Sequence, residues 1–135
     1  MKIKDKYQEL KICNPDYLVL IKSGNFYLAI EDDAYMMNLL FDYKIIKGKV
    51  GFPLNALERV MGELEKESVN YVIFKEESDI IIKNFDDNKY YSLIGESKKR
   101  EYKNSMKKLL LERIEFLIDN SEDNYDKIRR FIDEL

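Results

Sequence analysis

Two aspartates and a lysine come closest to a catalytic set in this chain. Pro15-Asp16 and the later run Asp42-Tyr43-Lys44 have the residue types of a metal-dependent nuclease signature. In such a set paired carboxylates hold a hard cation and the lysine helps to activate water. The pattern is loose, however. A chain with 26 acidic and 23 basic residues meets it by chance, and Asp16 lies before the strand expected at Tyr17 to Ile21.

Other chemistries are closed more firmly. The chain has no histidine, so serine–histidine catalysis is impossible. Its one cysteine, Cys13, can form neither an internal disulfide nor a Cys/His zinc site. No Gly-x-x-x-x-Gly-Lys-Ser/Thr loop is present to cradle a phosphate. The expectation is a non-enzyme that needs no cofactor or metal. With no signal-peptide run and no apolar stretch of spanning length, a cytoplasmic location without membrane contact is expected.

Binding is the remaining class. A net charge of −3 provides no overall basic footprint for nucleic acid, but positive charge gathers at Lys98-Lys99-Arg100 and continues through Lys103, Lys107 and Lys108. A helix opening at Ser97 would carry these charges in its first turn, where each opposes the macrodipole by roughly 0.3–1 kcal/mol. Either the helix begins later, near Asn104, or the cluster meets a partner such as phosphate.

The elements that must position these groups follow from periodicity. Apolar positions at Ile3, Tyr7, Leu10 and Ile12 suggest a short helix, closed by Asn14-Pro15-Asp16. Tyr17 to Ile21 is a continuous apolar run, expected as a strand buried on both faces. Ser23-Gly24-Asn25 is a turn, and Phe26 to Ile30 returns as the second strand of a hairpin. Glu31-Asp32-Asp33 suits the start of a helix reaching about Phe41. Tyr43 to Ile46 is expected as a short strand and Lys47-Gly48-Lys49 as a turn. Asn55 and Glu58 have the spacing of a capping box ahead of a helix carrying Leu57, Val60, Met61 and Leu64. Val69 to Phe74 reads as a strand. Asp79 to Phe85 and Lys89 to Ile94 read as a second hairpin, and Ser97 to Asn120 and Ser121 to Leu135 as two helices. Strands alternating with helices, then helices alone, indicate a mixed sheet flanked by helices, an α/β (α+β) domain.

Two segments carry a family resemblance. Lys22-Ser23-Gly24-Asn25-Phe26-Tyr27, continuing to Asp32-Asp33-Ala34, resembles the basic-x-Gly-Asp-Phe-Tyr-Glu motif of MutS domain I, which closes on an acidic residue and Asp-Ala at the same distance from the glycine. Gly51-Phe52-Pro53-Leu54-Asn55-Ala56-Leu57-Glu58 is similar to the family's Gly-x-Pro-Tyr-His-Ala-Leu/Val run. Tyr7, Leu10, Lys11, Pro15 and Asp16 upstream, and Tyr71 to Phe74 downstream, match in order, so the resemblance covers about the first 75 residues.

The resemblance implies a mismatch-recognition fold in which the motif's phenylalanine wedges beside a mispaired base and a glutamate two residues later hydrogen-bonds it. A wedge of this kind replaces lost stacking at a kinked step, and a mismatch is cheaper to deform. Phe26 matches the wedge. The glutamate position holds Leu28, which cannot hydrogen-bond a base, and Asn25 stands where the family has aspartate. The alternation of Phe26, Leu28 and Ile30 leaves a second reading open, in which all three face the core. Tyr27 then points to the opposite face and packs under a helix.

The candidate DNA-binding residues are Lys22, Phe26, Leu28, Lys98, Lys99 and Arg100. Residues 1–95 are expected to form the domain and 96–135 a C-terminal helical pair, packed on it or on a partner. Double-stranded or mismatched DNA, bound weakly, is one partner expected; a second copy or another protein, met through the C-terminal helices, is the other. A protein-interaction role that keeps the fold and loses DNA recognition is the alternative function. Truncation at Gly95 is expected to destabilise the domain or leave it prone to aggregate.

Overall fold

The computed structural model describes residues 2–135. Its elements are α1 (Ile3–Cys13), β1 (Leu18–Ser23), β2 (Phe26–Ile30), α2 (Glu31–Phe41), β3 (Lys49–Pro53), α3 (Leu57–Lys66), β4 (Tyr71–Glu76), β5 (Asp79–Lys83), α4 (Tyr90–Asn120) and α5 (Glu122–Asp133). The five strands form one sheet in the order β3-β2-β1-β4-β5. Only the central pair β1–β4 is parallel, with Leu18 opposite Tyr71; the other neighbours are antiparallel. This is the mixed, helix-flanked α+β sheet expected, with helices at the C-terminal end.

β1 carries four consecutive buried residues, Leu18 to Ile21, because both of its faces are covered. Leu18 and Leu20 enter the larger core with Tyr27, Ala29, Val50, Phe52, Tyr71 and Ile73, under residues of α2, α3 and the start of α4. Val19 and Ile21 enter a smaller core with Ile30, Val72 and Phe74, closed by Tyr7 of α1.

Three local expectations are corrected. Tyr43 to Ile46 is not a strand; only Ile46 makes an isolated bridge, to Lys49. Lys47 and Gly48 form the turn between them at φ of 53° and 75°. The strand is instead Lys49–Pro53, whose strict alternation buries Val50 and Phe52 and leaves Tyr43 free to stack on Phe52 at 5.8 Å. Asn55 does not cap α3: it lies inside a 3-10 turn, and the residue at the cap position, Ala56, has no side-chain bond to offer.

Lys89 to Ile94 is not the partner of β5, which pairs with β4 instead; α4 begins at Tyr90. Asn88 supports that start. Its Oδ1 accepts from the Tyr90 and Asn70 amides at 3.2 and 3.0 Å, and its Nδ2 donates to the Asp16 carbonyl at 2.9 Å. Tyr90, Leu93, Ile94 and Ser97 are the buried residues of α4, at the spacing of one helical face. The helix therefore opens two turns before the basic cluster, so its charges sit away from the positive end of the macrodipole and the conflict with it does not arise.

The chain forms two compact units, one ending at Lys98 and one running from Lys99 to Leu135. The second consists of the remainder of α4 and α5. None of its residues is buried, although Leu110, Ile114, Ile128 and Ile132 line a groove between its two helices.

Candidate functional site

Gly24 takes a φ of +59°, the left-handed value that a two-residue hairpin loop places at a glycine, and the loop delivers Phe26 opposite Ser23. Successive residues of β2 then leave on opposite faces. Tyr27 enters the larger core and stacks on Phe52 at 5.7 Å. On the other face burial rises along the strand: Phe26 is 51% exposed, Leu28 is half-buried and Ile30 is buried. Ile30 packs in the core that α1 closes, while the hairpin end lies outside that core. Ile30 is thus a core residue and Phe26 is a surface ring.

Leu28 lies over its cross-strand partner Gly51, where an added Cβ would approach the leucine Cδ2 to 3.1 Å. Pro53 is opposite Phe26 on the same strand. Ser23, Leu28, Gly51 and Pro53 are therefore the neighbours of Phe26 by register on β1, β2 and β3, and none carries charge. Lys22 is exposed but pairs with Tyr27, so it leaves the sheet on the face opposite Phe26.

Within the first unit, the structure does not bring Lys98 to this ring. Lys98 pairs with Asp32 of α2 at 3.4 Å, beyond the far end of β2 from Phe26. Lys99 and Arg100 are exposed on α4, in the second unit. Phe26 and Lys98 thus lie at separate places of the first unit.

A buried polar network, not anticipated as a site, joins α1 to α2 and to the first turn of α4. Asp33 is fully buried. It accepts from the Tyr7 hydroxyl at 3.0 Å, the Val19 amide at 3.0 Å, the Tyr90 hydroxyl at 2.5 Å and the Lys11 ammonium at 3.1 Å. Burial pushes the Asp33 carboxyl above the usual carboxylate range, and Lys11, Tyr90 and Val19 pull it back. Burial, reinforced by the Asp33 charge, also pushes the Tyr7 and Tyr90 hydroxyls far up, so both stay protonated as donors.

Lys11 also donates to the Tyr90 hydroxyl at 2.7 Å and to the Tyr17 carbonyl at 2.5 Å, and lies 4.4 Å above the Tyr90 ring. Its three N–H donors are matched by three acceptors. An open cleft of about 570 Å³ lies above, lined among others by Tyr7, Lys11, Asp32, Tyr90, Tyr91 and Lys98. Because the polar groups at its floor satisfy one another, the network is built to hold α1, β1, α2 and α4 together. The available signal was Asp33, the last of three acids and next to the apolar stretch of α2, with Tyr7 and Lys11 four apart on another helix.

Among the described residues no group of three or more cysteine or acidic side chains is placed to hold a metal ion. None of their helices is long and apolar enough to cross a membrane. The family model described as MutS domain I matches residues 2–79, from α1 to the first residue of β5. No curated protein matches the chain.

Proposed function

Because the chain belongs to the MutS domain I family, whose fold serves mismatch recognition, we propose that it is a non-catalytic, DNA-associated module of the cytoplasm with weakened mismatch selectivity. The observation that carries this reading is the exposed Phe26 ring at the tip of the β1–β2 hairpin. An apolar ring on an uncharged patch can enter a minor-groove step and replace the stacking that a kink removes. Leu28 offers the displaced base no acceptor, and a hydrogen bond to a charged partner is worth about 1.5–3 kcal/mol. Without it a preference of tenfold or more is lost. Attraction then comes from Lys22, Lys98, Lys99 and Arg100 acting on phosphates without regard to sequence.

Fluorescence anisotropy with perfect, mismatched and one-base-bulged duplexes at two salt concentrations tests this. Weak, salt-sensitive binding is expected, with less than about tenfold preference for the mismatch. Phe26→Ala should weaken it by about 5–150-fold, the worth of one lost stacking contact. A strong mismatch preference that Phe26→Ala abolishes would refute the weakened selectivity. No binding to any duplex at low salt would refute the DNA role.

A second reading, an interaction module for a protein partner, is favoured by the second unit. Leu109, Leu110, Leu111, Phe116, Phe131 and Ile132 are all exposed there, and a helical pair with nothing buried has little to stabilise it alone. Every buried residue among those described lies at or before Ser97. Deleting residues 99–135 should therefore leave the first unit folding cooperatively and abolish binding to such a partner. Cutting at Gly95, which also removes Ser97, should cost stability. Circular dichroism melts compare the two truncations; a chain ending at Lys98 that does not fold would sink this expectation.

A further inference from the structure

We propose that the outer edge of β5 pairs with β5 of a second copy of this chain, antiparallel about Ile81, joining two five-stranded sheets into one. Among the described residues β5 is the last strand in the sheet order and has β4 on one side only, so its other edge presents N–H and C=O groups that no strand pairs. Proteins usually blunt such an edge with charge or cover it. Here four of the five residues, Asp79-Ile80-Ile81-Ile82-Lys83, are exposed, and Ile81 is half-buried. Ile80 and Ile82, 40% and 59% exposed, share the sheet face of their β4 partners Phe74 and Val72.

The segment is its own antiparallel complement. A two-fold axis at Ile81 places each Asp79 opposite the second copy's Lys83, and each Ile80 opposite Ile82. Opposite charges and β-branched pairs directly across a ladder both favour pairing. A parallel arrangement in register would put Asp79 against Asp79 and Lys83 against Lys83, so the charges also choose the direction. Lys83 already holds Glu65 at 2.5 Å but remains half-exposed, and an ammonium has two further N–H groups to give. The interface is isologous, so every substitution counts twice.

Sedimentation velocity on the full chain, across micromolar to near-millimolar concentrations and at two salt levels, reads the association. A salt-sensitive monomer–dimer equilibrium is expected. Asp79→Lys and Lys83→Asp should each weaken it by at least about tenfold, with far-UV circular dichroism unchanged. An equimolar mixture of these two variants should restore the dimer, since the lysine introduced in one chain then meets the aspartate introduced in the other across the axis. The double variant should restore it alone. Lys83→Asp also breaks the contact with Glu65, but Asp79→Lys makes the case without it. A native chain that stays monomeric overturns the proposal. So does a dimer indifferent to Asp79→Lys, or a mixture that associates no better than its components.

Discussion

Asp33→Ala is expected to remove about 3–5 kcal/mol of folding stability, the usual loss when one member of a buried charge pair is deleted. The substitution strips an acceptor from four donors at once: the Tyr7 and Tyr90 hydroxyls, the Val19 amide and the Lys11 ammonium. Each buried donor left unmatched costs about 1–3 kcal/mol, but the four act as one unit and do not add. Domains are stable by only about 5–15 kcal/mol, so the variant should melt on the order of 10–20 °C lower. Asp32→Ala is the control. Its carboxylate is exposed and paired with Lys98, a contact worth roughly 0–1 kcal/mol. Urea unfolding of both variants measures the difference, and equal midpoints would show that the network contributes nothing.

The second large effect is expected from Lys11→Met, and it carries a pH signature. The folded Asp33 pKa is already raised by burial, and Lys11 is the strongest influence holding it down. Without the ammonium it rises further. A carboxyl whose folded pKa exceeds its unfolded one supplies stability that is complete below the unfolded value, near 4, and is lost as pH climbs through the folded value. The variant should therefore approach the native chain in stability near pH 4 and fall behind by about 3 kcal/mol or more at neutral pH. Chemical denaturation from pH 4 to 8 follows the gap between the two proteins. A gap that stays constant, or that narrows as pH rises, would be incompatible with an ionised Asp33 held by Lys11.

Much of the fold was legible in residue order because its signals are local. The four-residue apolar run of β1 marks a strand covered on both faces, and Gly24 marks the hairpin. The motif around Phe26 and the Gly51 run lead to the family, and to a surface ring whose exposure alternation alone left undecided. Two further elements carried equally local signals that were outweighed. Val50 and Phe52 alternate as a strand should, but Tyr43 to Ile46 just before them is the more continuous apolar run. Tyr90, Leu93, Ile94 and Ser97 repeat with helical period, but the apolar pair Tyr90-Tyr91 beside Asp86-Asp87-Asn88 looked like a strand after a turn. The Asp33 network was hidden for a different reason. Its donors come from positions 7, 11, 19 and 90, and an exposed carboxylate and a fully buried one are the same letter until the chain is folded.

That separation along the chain has a consequence for the protein while it is being made. The Tyr90 hydroxyl that bonds Asp33 lies 57 residues later, and the Asn88 amide that holds Asp16 lies 72 residues later. At synthesis rates of about 5–20 residues per second, roughly 3 to 11 seconds pass between the appearance of the carboxylate and that of its last partner. Over that interval β3, β4 and β5 are added to β1 and β2, while the carboxylate has Tyr7, Lys11 and Val19 but still lacks the Tyr90 donor. Closing the core around Asp33 is therefore expected to become fully favourable only once the first turn of α4 has been made.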